Sequence, residues 1–480
     1  MFDRVFHPVR TGALLNGVVI TFLCAWGTPS FALEVGFEGL VQLVGSDNVL
    51  ADNSPDEQNG AIQSAILGVY GEQRGRVVSA AFLGELDTRK ISTSDESDVD
   101  AVSVFVGAAQ FKLTPRAWTW YFANILGGVR ADDAIQPIDN NDIPRRNLFV
   151  TGPTFEYEQQ GISRTTVRLL YVNQTQDNSE LEDLYIANFS HQRNLTSRNH
   201  FGLRLGNIFT DVPDQSNDDP DLFAVEQDFN RGTLGIFYNH LVGYTNVFGE
   251  IGFTRYDTDD ESLDGLVSQI RINHKWGPRT SSGLFIQRNL NDQSLSAAES
   301  LVQNGEAGIG VEPDVAGIFS ENRIGAEYNF QTLDTSISLV AGFAELEYEL
   351  LSGASLGLVD IDGEDRQQGF ATAVWSQRLN SRLRSELFVS FESQDFDNRI
   401  DNSSSLVVRA QLDYMLTRSI DLQLGIVRDD ASGVRTQFVN NGIFEDAVES
   451  TENRFSLGLR WAPPSPASQE LAIELQSLLQ

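Results

Sequence analysis

Cysteine is nearly absent from this chain of 480 residues; the single one, Cys24, sits close to the N-terminus. It falls inside what reads as an export leader, so the exported chain has no thiol, which excludes disulfides and thiolate metal sites. The five histidines are His7, His191, His200, His240 and His274, and no two of them have zinc-ligand spacing. After residue 32 no apolar run approaches the roughly 18–20 residues of a membrane helix. Basic residues are scarce: 34 Lys and Arg against 67 Asp and Glu leave a net charge of −33, which argues against nucleic acid as a partner. No phosphate-cradling or dinucleotide glycine loop occurs between a strand and a helix. Gly353-Ala354-Ser355-Leu356-Gly357 matches the letters of a nucleophile elbow, but no helix follows it, so the sequence reads as a non-enzyme without cofactor or metal.

What the N-terminus does contain is ordered for export. Arg4 and Arg10 form a positive region, Ala13 to Trp26 an apolar one, and Ser30-Phe31-Ala32 a small-x-small cleavage site. Residues 1–32 therefore read as a signal peptide, with the mature chain starting near Leu33. Leu23 precedes Cys24 where lipoprotein processing requires a small residue, which speaks against lipidation.

Beyond the leader, helical periodicity is almost missing and alternation of period two is nearly continuous, the signature of strands with two unlike faces. Phe455, Leu457, Leu459 and Trp461 alternate with Arg454, Ser456, Gly458 and Arg460. Leu266, Ile270, Ile272 and Trp276 alternate with Gln269, Arg271, Asn273 and Lys275. Ile324, Ala326, Tyr328 and Phe330 alternate with Arg323, Gly325, Glu327 and Asn329. About twenty such segments follow, beginning near residues 33, 60, 76, 100, 116, 147, 162, 182, 197, 230, 243, 264, 277, 317, 334, 367, 381, 403, 419 and 452. Each is about 10–14 residues, enough for a tilted strand to cross a bilayer.

The connections alternate between short and long. Gln73-Arg74-Gly75, Thr114-Pro115-Arg116, Gln160-Gly161, Gly277-Pro278 and Thr417-Arg418 are short; the stretches near 45–59, 87–99, 130–146, 175–181, 210–229, 257–263, 289–316, 348–366, 394–402 and 429–451 are long. Short periplasmic turns, long outer loops and an even strand number define outer-membrane barrels. The expected fold is thus all-β: a transmembrane antiparallel up-and-down barrel of about twenty strands (18–22) over residues 33–461, in the outer membrane. Trp118, Trp276 and Trp461 fall at its periplasmic end, where interfacial aromatics belong. Ala462-Pro463-Pro464 breaks the last strand, and 462–480 reads either as a frayed periplasmic tail or as a short amphipathic helix carrying Leu471, Leu475, Leu478 and Leu479.

Charge is unevenly placed. The ten long connections hold 43 of the 66 acidic residues beyond the leader and only 8 of the 32 basic ones. An acidic outer crown thus stands on a wall of balanced charge. Runs such as Asp257-Thr258-Asp259-Asp260-Glu261 read as a solvated, repulsive surface or as weak divalent sites bridging to lipopolysaccharide phosphates. Arg164, Arg168, Arg204, Arg271, Arg323, Arg382, Arg384, Arg409, Arg454 and Arg460 occupy the expected lumen face, with Glu327, Glu386, Asp413 and Asp421. Two readings stay open: an ion-pair network that stiffens the wall, or basic rungs that contact an anionic or sugar-rich solute, as rings of charge do in pores.

The first strand running into Ser46-Asp47-Asn48-Val49, the hairpin after it, and the stretch from Arg145-Arg146-Asn147 to Gly152-Pro153 resemble the β-barrel porin 2 family, outer-membrane barrels associated with exopolysaccharide synthesis and export clusters. The resemblance spans most of 33–461 and leaves the tail unmatched. It implies a role in moving exopolysaccharide across the outer membrane and supplies no catalytic residues. The expected surroundings are outer-membrane lipid, lipopolysaccharide, the polysaccharide itself and a periplasmic export partner. The residues alone leave room for a passive diffusion porin for small solutes and for a non-transporting surface or adhesive barrel. A barrel of about twenty strands is wide enough for an extended sugar chain unless loops fold inward, and 289–316 is the expected constriction.

Overall fold

The computed structural model describes residues 33–48, 59–93, 97–114, 117–128, 145–159, 161–176, 179–211, 228–258, 262–292, 317–351, 365–396, 403–439 and 442–461. The expected leader, the tail 462–480, residues 353–357 and most of the expected constriction at 289–316 lie outside them.

Twenty strands follow one another: β1 Leu33–Ser46, β2 Gly60–Arg74, β3 Val78–Thr93, β4 Ser97–Lys112, β5 Trp118–Gly128, β6 Arg145–Gln159 and β7 Ser163–Gln176. Next come β8 Ser179–Thr196, β9 Asn199–Asp211, β10 Phe229–Val242, β11 Thr245–Thr258, β12 Ser262–Gly277, β13 Thr280–Asp292 and β14 Gly317–Gln331. The circle is completed by β15 Thr335–Leu351, β16 Arg366–Arg378, β17 Leu383–Phe396, β18 Ser403–Met415, β19 Ile420–Val439 and β20 Gly442–Trp461. Each pairs antiparallel with its sequence neighbours, and β1 pairs with both β2 and β20, so the sheet closes. Closure gives every strand a partner on both sides, as backbone that crosses lipid requires.

Register fixes which side chains share a face, and following it around the ring returns the same assignment at the β1–β20 seam. One face carries the large exposed apolar side chains, among them Val41 65%, Leu67 65%, Leu284 60% and Phe455 62% exposed. The other carries most of the described ion pairs; Arg255–Asp257 and Arg428–Asp430 sit on the outer face near the loop end. A wall with an apolar outer face, a polar inner face and no open edge is an outer-membrane barrel. Trp118, Trp276 and Trp461 lie at the short-turn end, exposed on the apolar face.

The tight turns use glycine where the backbone demands it. Gly161 (φ +70°) and Gly243 (φ +59°) take the left-handed conformation that a side chain disfavours. Mid-strand, Gly152 brings the β6 and β7 backbones together: a Cβ there would lie 1.9 Å from the Leu169 carbonyl oxygen. Pro153 follows it, and the β6–β7 ladder skips both residues, since proline has no N–H to give.

Strands outrun expectation at the loop end. Most of 87–99, 175–181 and 257–263, expected as loops, is paired strand, and 429–451 forms most of a β19–β20 ribbon that continues past the last β18 partner, Ser404↔Ser432. The reason is physical: above the bilayer, backbone pairing holds two strands together without any alternation of hydropathy.

Candidate functional site: the lumen wall

The lumen wall from β9 to β16 repeats one small construction three times. Phe237 lies over its cross-strand partner Gly202, Phe285 over Gly325 and Phe370 over Gly342; a Cβ on any of these glycines would come within 2.1–2.5 Å of the ring. Only glycine lets a ring lie flat against the neighbouring strand. An arginine then stacks on each ring: Arg204 on Phe237 at 5.6 Å, Arg271 on Phe285 at 5.9 Å and Arg323 on Phe370 at 4.4 Å. Each guanidinium also meets a carboxylate, Glu250 at 3.0 Å, Glu327 at 3.5 Å and Glu321 at 3.8 Å. Ring quadrupole and carboxylate together hold the cation in place. Between 30% and 51% of each arginine side chain stays open to the lumen.

The remaining arginines expected from the sequence fall as follows. Arg164 pairs with Glu156 at 3.0 Å, Arg384 with Glu386 at 3.2 Å and Arg460 with Glu38 at 2.9 Å, the last across the barrel seam. Arg454 approaches Glu452 at 3.4 Å and Asp429 at 3.7 Å, where Ser46 donates to Glu452 at 2.6 Å. Arg409 stacks on Phe388 at 5.7 Å, and Arg168 lines a lumen cleft with Tyr121. Arg382 is not on the wall. It lies in the turn before β17, because the Asn380 side chain accepts from the Arg382 and Leu383 N–H groups and delays the strand. Seven of these arginines therefore stand in compensated pairs, while Arg409 is held by a ring rather than by a carboxylate.

Sequence reasoning missed Arg231 stacked on Tyr256, Arg366 on Phe396 and the Arg89–Asp87 pair at 3.1 Å. Asp87, Arg89 and Arg366 fell in stretches read as loops. The ring and glycine partners depend on register, which alternation along one strand does not carry. At the loop end the lumen-facing side chains are tightly packed: Leu184 is 1%, Tyr256 0% and Arg366 2% exposed. Among the described residues no cluster of side chains is arranged to hold a metal ion.

No family model and no curated protein matches the chain. Solved structures similar in fold include the siderophore receptor PirA from Pseudomonas aeruginosa, 11% identical, covering 89% of this chain and 80% of that one, with a TM-score of 0.46. The FrpB iron transporter from Neisseria meningitidis is 7% identical, with coverage of 89% and 82% and a TM-score of 0.48. A double mutant of the ferric enterobactin receptor PfeA from Pseudomonas aeruginosa is 10% identical, with coverage of 89% and 80% and a TM-score of 0.45.

Proposed function

We propose that this barrel takes part in exporting exopolysaccharide across the outer membrane, with the polymer passing along the β9–β18 wall. The supporting observation is the repeated Gly–Phe–Arg–carboxylate construction. It presents fixed N–H donors and ring edges to the lumen, the groups that match sugar hydroxyls and C–H faces. Because the cation of each repeat is paired with a carboxylate, the repeats offer local hydrogen bonds without a strong net field, so a chain is held briefly and released. Outer-membrane lipid and lipopolysaccharide surround the apolar face, and a periplasmic export partner meets the short-turn end. A clean deletion tests this: polymer should fall in the medium and accumulate in the periplasm, with the intact gene restoring secretion. Unchanged secretion overturns the reading.

The tight packing at the loop end favours a second reading, a non-transporting barrel closed to flow. Planar-bilayer recording separates the alternatives: steady conductance independent of any polysaccharide pathway supports a passive diffusion porin, and silence together with unchanged secretion supports the closed barrel.

A further inference from the structure

The lumen of a membrane barrel is ordinarily polar, and one sector of this one is not. Val106, Ala108, Ala123, Ile125, Val150 and Leu170 occupy adjoining lumen-face positions on β4, β5, β6 and β7, with no charged or hydroxyl-bearing side chain between them. Leu148, Val172 and Leu184 continue the patch toward the loop end, where they are buried against one another, and Tyr70 packs on its other flank. At the patch's periplasmic edge Arg168 and Tyr121 line a cleft together with Ala108, Ala123, Val150 and Leu170. Ala108 and Ala123 are buried, so the open part of this aliphatic wall is Val106, Ile125, Val150 and Leu170, and a surface of that kind ending in a cation and a hydroxyl suits an amphiphile rather than a sugar.

A second observation places lipid beside it. The β4–β5 ladder has eight rungs, from Lys112↔Thr119 to Phe105↔Leu126, although β4 runs on to Ser97 and β5 to Gly128. Seven steps of ~3.4 Å on a strand tilted by roughly 40° rise about 18 Å, short of the ~25 Å apolar band. Outward-facing Phe105 and Leu126 on the last rung are therefore still at lipid depth. The β1–β20 ladder also has eight rungs, but Asp47 extends it by bonding the Asn453 backbone and side chain at 2.6 and 2.8 Å.

We propose that this sector binds a single acyl chain carrying an anionic head, admitted from the outer leaflet between β4 and β5. The head enters the polar lumen first and is held by Arg168 and Tyr121, while the chain remains on the aliphatic wall. The inference is independent of polysaccharide export.

The test is photolabelling of the full barrel, reconstituted in phosphatidylcholine vesicles, with a diazirine-bearing palmitate and mass-spectrometric mapping. Saturable labelling of β6 and β7 lumen positions, competed by plain palmitate, is expected. Val150→Asn with Leu170→Asn should weaken it about tenfold or more, and Arg168→Gln should weaken it less. Ser103 and Gly128 would face each other if the ladder continued, so a Ser103→Cys/Gly128→Cys disulfide should close the seam. In that variant lumen labelling should slow and recover on reduction, while labelling of outward Phe105 and Leu126, which reports a folded barrel, stays constant. Labelling confined to outward residues, or lumen labelling unchanged by Val150→Asn/Leu170→Asn, overturns the binding surface. Lumen labelling indifferent to the disulfide overturns the portal.

Discussion

Arg204 and Glu250 stand on strands that do not touch, β9 and β11, and meet at 3.0 and 3.1 Å across Gly235 of the strand between them. A Cβ at Gly235 would already lie 3.0 Å from the Glu250 carboxylate. Arg271 and Glu327 repeat the device over Gly283, linking β12 to β14. These pairs tie alternate strands and so resist shear between neighbours.

The Arg204–Glu250 bond should nonetheless be modest in free energy, because half of the arginine side chain is exposed. A double-mutant cycle with Arg204→Ala and Glu250→Ala, read by urea unfolding in lipid, should give a coupling of about 0.2–1 kcal/mol that shrinks in high salt.

The ring-on-glycine joints should matter more. Gly342→Val places a Cβ 2.5 Å from the buried Phe370 ring and 2.6 Å from the backbone carbonyl oxygen of Ile324. We expect a loss of about 1–3 kcal/mol. Gly369→Ala, where nothing lies within 4 Å, should change stability by less than about 0.5 kcal/mol. Heat-dependent gel mobility ranks the two.

The face assignment predicts opposite fates for adjacent residues. Leu424→Arg puts a cation in lipid and should cost about 2–4 kcal/mol, whereas Gln423→Arg on the lumen face should be tolerated. Vesicle insertion yields of the two variants check it: equal yields would overturn the face assignment here, and a lower yield for Gln423→Arg would reverse the parity for this part of the ring.

Charge compensation predicts a change in ion preference. Glu327→Gln leaves Arg271 without its carboxylate, so reversal potentials across a salt gradient should move toward anions, most clearly at low ionic strength. An unchanged reversal potential in a conducting barrel would show that this pair is not on the ion path.

Much of the wall was legible in the sequence, because lipid on one side and water on the other impose alternation residue by residue. Nineteen strands begin within three residues of the positions that alternation gives; the twentieth begins at Gly442 rather than near 452. Glu445, Asp446 and Glu449 hide it, since that part of β20 is held by its pairing to β19 and by no lipid. The arginines were visible for the same reason that Leu457 and Leu459 were. Their partners were not. That Phe370 lies over Gly342, or that Arg460 reaches Glu38 from the far end of the chain, depends on register and closure.

The two eight-rung seams enclose β1 to β4, whose internal ladders run to fourteen or fifteen rungs. Under lateral tension in the membrane, these two shortest ladders should therefore yield before the longer ladders of the four-strand panel between them. A closed sheet with unequal seams is mechanically a hoop with a door.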